Sequence, residues 1–106
     1  MADPEVINVV KRYMVALGKQ GIHLSHAYLF GSYARGQATA QSDIDVMLVS
    51  DYFDTEDIYK FSKPWRIAAE VDYRLEPVSI ESKRFETDDS SPLIAIVKQE
   101  GLEVKI

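Results

Sequence analysis

Apolar residues recur at helical spacing from Val6 through Val9, Val10, Tyr13 and Met14 to Leu17. They stand behind Asp3-Pro4, a capping aspartate followed by proline at the first helical position. Gly18 or Gly21 is the expected stop. The period then shortens. Residues 26–30 read as a strand broken by Gly31-Ser32, with a helical turn expected over Tyr33-Ala34-Arg35 and a small, polar loop over 37–42. Residues 43–49 read as a second strand, with Ile44, Val46 and Leu48 on one face and Asp43, Asp45, Met47 and Val49 on the other. Residues 54–69 are expected to be helical, broken or restarted at Pro64. Residues 70–76 alternate as a third strand, with Glu70, Asp72 and Arg74 on one face. A short helix is expected over 79–86, a capped helix from Ser91-Pro92 to Gly101 with Leu93, Ile94, Ile96 and Val97 as its apolar face, and a terminal strand after it. Helices alternating with strands predict an α/β fold.

Length limits this pattern to one core: 106 residues are read as a single domain spanning residues 1–106. No apolar run approaches the roughly 18 residues of a membrane span. The acidic start, Met1-Ala2-Asp3-Pro4-Glu5, is unlike a secretory leader. The chain has no cysteine, which excludes disulfides and thiolate metal sites, and a cytoplasmic protein is the expectation. The net charge of −5 argues against a long nucleic-acid backbone as the main ligand. A nucleotide remains compatible, because a bound magnesium ion reverses the local sign.

The chemistry concentrates in residues 31–49. A Gly-Ser turn after a strand lets backbone approach a ligand closely and presents N–H groups to a phosphate. Asp43 and Asp45, two apart at the start of a strand, point the same way. Their mutual repulsion is relieved by a divalent cation, and oxygen-only ligands suit magnesium or manganese. Asp72, on the expected third strand, is positioned to complete a three-carboxylate site. Such a site holds two metal ions about 4 Å apart in phosphoryl-transfer enzymes. Asp72 would then be the base, directly or through water. Arg35 is placed to pair with a phosphate or with a nearby carboxylate.

Gly31-Ser32, ten intervening residues and Asp43-Ile44-Asp45, flanked by Ala34-Arg35-Gly36 and Ser42, resemble the signature of minimal nucleotidyltransferases of the DNA polymerase β superfamily. Val71-Asp72-Tyr73 through Val78-Ser79 and Phe85 resemble that family's third strand and the segment after it. The resemblance implies a mixed sheet flanked by helices. It implies that Gly31 and Ser32 contact the phosphates of ATP, that Asp43 and Asp45 bind magnesium, and that Asp72 is the third carboxylate, with Glu70 as the other candidate. Small members of this family resemble the antitoxin of a toxin–antitoxin pair whose partner is a HEPN ribonuclease. The implied activity is transfer of AMP from ATP to a tyrosine hydroxyl of that toxin, within a hetero- or homo-oligomer.

Two other readings remain open at this point. One is a non-catalytic antitoxin that neutralises its partner by covering it. The other is a small-molecule nucleotidyltransferase subunit of the antibiotic-modifying kind. His23 and His26 carry no partner pattern. Trp65 reads as core packing ahead of a partner anchor, and Glu86, Asp88 and Asp89 read as a solvated loop.

Overall fold

The computed structural model describes residues 3–106; Met1 and Ala2, the first residues of the acidic start, lie outside them. Helix α1 (Pro4–Lys19) opens behind Asp3, whose carboxylate accepts the Glu5 N–H at 2.9 Å. It buries the expected stripe of Val6, Val9, Val10, Tyr13 and Leu17. Strands β1 (His26–Phe30) and β2 (Ile44–Val49) follow, then α2 (Ile58–Val71), β3 (Leu75–Ile80), α3 (Ser82–Thr87), α4 (Pro92–Glu100) and the two-residue β4 (Leu102–Glu103). The sheet order is β3-β2-β1-β4. β1 runs antiparallel to β2 and β4, whereas β2 and β3 are parallel, joined by α2 as the crossover that parallel pairing requires. The sheet is mixed and flanked by helices, an α/β architecture.

Alternation along the strands sorts two cores. Ala27, Leu29, Ile44, Val46, Leu48 and Leu75 join the buried faces of α1 and α2. Met47, Val49, Phe30 and Ile80 face the other way, against Phe85 of α3 and Ile94 and Val97 of α4. Leu93 and Ile96, expected on the buried face of α4, are more than a third exposed. β3 is an edge strand. Its ladder bonds run from Ile44 N to the Arg74 carbonyl and from Ser50 N to the Ile80 carbonyl. Even-numbered residues of β3 therefore face β2, and the donor-less nitrogen of Pro77 faces outward, where no ladder bond is lost.

Four further expectations need correction. Pro64 does not break α2, which starts later than expected, behind Asp57 as N-cap, and continues to Val71. An interior proline costs about 3 kcal/mol. Burial of Pro64, Ile67 and Ala68 opposes that cost, and the Tyr13 hydroxyl donates to the Pro64 carbonyl at 2.7 Å. Residues 70–76 are not a strand: the helical spacing Pro64, Ile67, Ala68, Val71 runs through to a turn at 72–74, and β3 begins only at Leu75. Trp65 is half exposed rather than core, in company with Ile58 and Tyr73. Asp88 is not simply solvated. It accepts Arg84 Nε at 3.0 Å, Ser90 N at 3.0 Å and Ser91 N at 3.2 Å, and so organises the α3–α4 connection. Those partners, the Arg84 guanidinium first, hold its carboxyl down at about 2.

Tyr13 is wholly buried, and burial pushes its phenol up from the ordinary value. Tyr13→Phe removes only the bond to Pro64 and is expected to cost about 1 kcal/mol. Urea unfolding of the two proteins measures this. An unchanged midpoint would mean that the bond does not support the proline-bearing turn of α2.

Candidate active site

Phe30 ends β1 in extended conformation, and the chain then turns sharply at Gly31, with φ of 75°. Two constraints meet at this residue. The positive φ strains any side-chain-bearing residue. A Cβ built there would also overlap Oδ2 of Asp45. The Gly31 carbonyl accepts the N–H groups of Ala34 and Arg35, both at 3.1 Å, which closes a single 3-10 turn over Gly31–Tyr33. No side chain caps the start of this turn. Ser32 is half-buried, and its carbonyl accepts Gln37 N at 2.9 Å. The polar loop that follows is folded on itself: Thr39 N donates to Ser42 Oγ at 2.8 Å, and the Tyr33 hydroxyl donates to the Thr39 carbonyl at 3.4 Å.

That loop returns the chain so that Asp45 lies opposite Phe30 in the β1–β2 ladder. The Gly-Ser turn and the Asp-x-Asp pair are thus neighbours in space, as their spacing implies. Asp43 is exposed just ahead of β2, and Asp45 is half-buried. Burial raises the carboxyl of Asp45 above its ordinary range; the Asp43 charge raises it further, and the Arg35 guanidinium opposes both. Arg35 therefore acts on Asp45, while its Nε also donates to Gln37 Oε1 at 3.3 Å.

Asp72, expected as the third carboxylate, does not stand opposite Asp45 in the sheet. Residue 72 is the C-cap of α2, and both its oxygens are taken by Arg74: Oδ1 accepts Arg74 N at 2.9 Å and Nε at 3.1 Å, and Oδ2 accepts Nη2 at 2.9 Å. These bonds, the side-chain ones first, hold its carboxyl below the usual range. Glu70 is an exposed residue of α2. Across the parallel ladder from Asp45 stands Glu76. Glu76 is exposed, yet partial loss of solvent raises its carboxyl, and the Asp43 and Asp45 charges add to the rise. The signal for Glu76 was present in the sequence: continuing the α2 spacing through Val71 makes Glu76 the first acid of the strand.

Among the described residues, no group of three acidic or histidine side chains is gathered into a ready-made metal site. The donor chemistry nonetheless fits a hard divalent cation. Asp43, Asp45 and Glu76 offer only oxygens, and two of the three have carboxyls raised by desolvation and then by their like-charged neighbours. A cation among them converts that repulsion into attraction.

The family model for "Polymerase beta, Nucleotidyltransferase" matches residues 15–103. Two solved structures share the fold. One is a protein from Sulfolobus solfataricus described as a nucleotidyltransferase, with TM-score 0.64 and 14% identity over 93% of this chain and 78% of that one. The other is a toxin–antitoxin structure with AMP-PNP, with TM-score 0.62 and 23% identity over 93% of this chain and 72% of that one. No curated protein sequence matches significantly.

Two outcomes follow from the geometry. Gly31→Ala is expected to displace Asp45 and to weaken nucleotide binding while the helices stay folded, read by nucleotide titration and circular dichroism. Unchanged binding would show that the close approach has no role. Asp45→Asn is expected to stabilise the metal-free protein at pH 7.5. Because the folded carboxyl is raised, its contribution to stability is present below the unfolded value, about 3.9, and is lost as pH rises through the folded one. The advantage of the variant should therefore shrink as pH falls to 4.5. Thermal unfolding at both pH values decides; a variant less stable than wild type at pH 7.5 contradicts the account.

Proposed function

Because the chain belongs to the Polymerase beta nucleotidyltransferase family, we propose that it is a magnesium-dependent enzyme that moves AMP from ATP to a tyrosine hydroxyl of a HEPN-family ribonuclease toxin, and so acts as its antitoxin. The observation that carries this reading is the packing of the Asp45 carboxylate against Gly31, with Glu76 opposite it in the ladder. One corner of the sheet thereby combines a phosphate-sized turn with three carboxylates. Likeness to a toxin–antitoxin structure with AMP-PNP supports the choice of nucleotide and of partner. The exposed apolar side chains of Ile58, Trp65 and Tyr73 support a protein partner.

In this reading Asp43, Asp45 and Glu76 hold the ions, and Gly31 and Ser32 take the triphosphate through backbone N–H groups and the serine hydroxyl. The chemistry a bound magnesium supplies is neutralisation of the phosphates and of the departing pyrophosphate. The acceptor oxygen bonds to the α-phosphorus of ATP as the bond from that phosphorus to the bridging oxygen breaks. The hydroxyl proton passes to a carboxylate. Glu76, opposite Asp45 in the ladder, is placed to take it. Arg35, already acting on Asp45, is placed to meet phosphate charge once the acids are occupied.

The test incubates the chain with its toxin, ATP and magnesium and reads intact masses. One added AMP on the toxin is expected, lost on chelation and in the Asp43→Ala, Asp45→Ala double variant. Glu76→Gln is expected to slow transfer by about 10²–10⁴. No adduct from folded protein would reject the enzymatic reading. Continued neutralisation of the toxin by the double variant would place the antitoxin effect in binding alone.

A further inference from the structure

The turn between α2 and β3 is built around one ion pair, and its connections reach the acidic cluster. Asp72 binds the backbone N–H and two side-chain nitrogens of Arg74. Its own N–H donates to the Ala68 carbonyl, and its carbonyl accepts Leu75 N at 3.2 Å. One residue therefore ends the helix, forms the turn and starts the strand. Both side chains are largely buried, 14% exposed for Asp72 and 17% for Arg74. Arg74 Nη2 also reaches Glu5 Oε1 in the first turn of α1 at 3.5 Å, and the guanidinium lies beside Tyr33 of the Gly-Ser turn.

The carbonyl of the same Arg74 accepts the N–H of Ile44 at 2.7 Å. Ile44 is the residue between Asp43 and Asp45, and this is the first bond of the β2–β3 ladder. It fixes the register in which Asp45 meets Glu76. A slip of one residue would turn Glu76 to the opposite face of the sheet.

We propose that Asp72 and Arg74 are a positioning pair: their ion pair sets the start of β3 against β2 and so presents Glu76 to Asp43 and Asp45. The proposal rests on the reading of those three acids as the metal site. Neither residue touches metal or nucleotide in this role. Asp72 acts through Arg74, and Arg74 acts through its backbone carbonyl and its hold on the turn. Because the two act as one unit, losing both should do no more harm than losing one.

The experiment compares wild type, Arg74→Ala, Arg74→Lys, Asp72→Asn and the Arg74→Ala, Asp72→Asn double variant. Two quantities are read: Mn2+ affinity in the presence of a non-hydrolysable ATP analogue, from the spin-resonance signal of free Mn2+, and hydrogen exchange at the Ile44 amide. Arg74→Ala is expected to weaken Mn2+ binding about ten- to a hundredfold and to speed exchange at Ile44. Arg74→Lys should recover part of both, and the double variant should match the worse single one. Arg84→Ala serves as the control. It breaks the Arg84–Asp88 pair, a more exposed single bond at 3.0 Å at the C-terminal end of α3, away from the β2–β3 ladder, and it should leave Mn2+ affinity unmoved.

Wild-type Mn2+ affinity in Arg74→Ala would overturn the proposal. So would Asp72→Asn losing metal as completely as Asp45→Asn with Ile44 still protected, since Asp72 would then be a ligand. Failure of wild type to bind Mn2+ would instead count against the nucleotidyltransferase reading. In that event the exchange at Ile44 still decides whether the pair fixes the register.

Discussion

The arrangement of this protein turns on the antiparallel pairing of β1 with β2, in the register that sets Asp45 opposite Phe30. Gly31 must leave β1 at a positive φ and offer no Cβ, because the Asp45 carboxylate occupies the space a side chain would need. The turn, the ten-residue loop and the acid pair are consequences of one another. A loop that closed differently would move Asp45 along β2, and a bulkier residue at 31 would push it away. The interval between Gly-Ser and Asp-x-Asp thus has a mechanical meaning: it is the length of chain needed to leave β1, fold back through Thr39 and Ser42, and re-enter the sheet one strand away.

The other side of the cluster depends on β3, which is parallel to β2 and reached only through α2. An antiparallel neighbour is placed by a short local connection, but a parallel one is placed by whatever ends the crossover helix and starts the strand. Here that is the Asp72-Tyr73-Arg74 turn. Pairing and capping therefore meet in the same few residues. An acid that looks catalytic when the stretch is read as strand is engaged instead in holding an arginine. Glu76 takes the place facing Asp45, and the rise of its carboxyl follows from partial desolvation and from the two acids beside it.

The sheet also explains why so small a chain can hold such a cluster. Two hydrophobic layers sandwich it, α1 and α2 on one face and α3 and α4 on the other. The acids sit at the end of the second face, one row beyond Met47 and Val78, beside Phe30 at the end of β1. Like charges placed together lower the stability of the metal-free state, and the cores on both faces supply what opposes this. The exposed side chains of Ile58, Trp65 and Tyr73 leave α2 and its following turn with apolar surface that the fold itself does not use.

What the amino-acid order determined by itself were the features written in short-range chemistry. The Asp3-Pro4 and Ser91-Pro92 helix starts, the β1 and β2 strands with their alternation, the Gly31-Ser32 break and the Asp43–Asp45 pair all depend on neighbours within a few residues, and each is where periodicity and capping rules place it. Periodicity failed at residues 70–76, where alternation of charged and apolar residues imitates a strand while the α2 spacing continues through Val71. Two local rules compete there, and the packing of α2 on Tyr13 and the sheet decides between them. The same packing carries α2 across Pro64 against the local preference. Only the tertiary structure set Glu76, rather than Asp72, opposite Asp45, because the α2 spacing marks where the strand begins but that pairing depends on the β2–β3 register. That register is fixed by a bond between Ile44 and Arg74, thirty residues apart in sequence, and no local pattern encodes it.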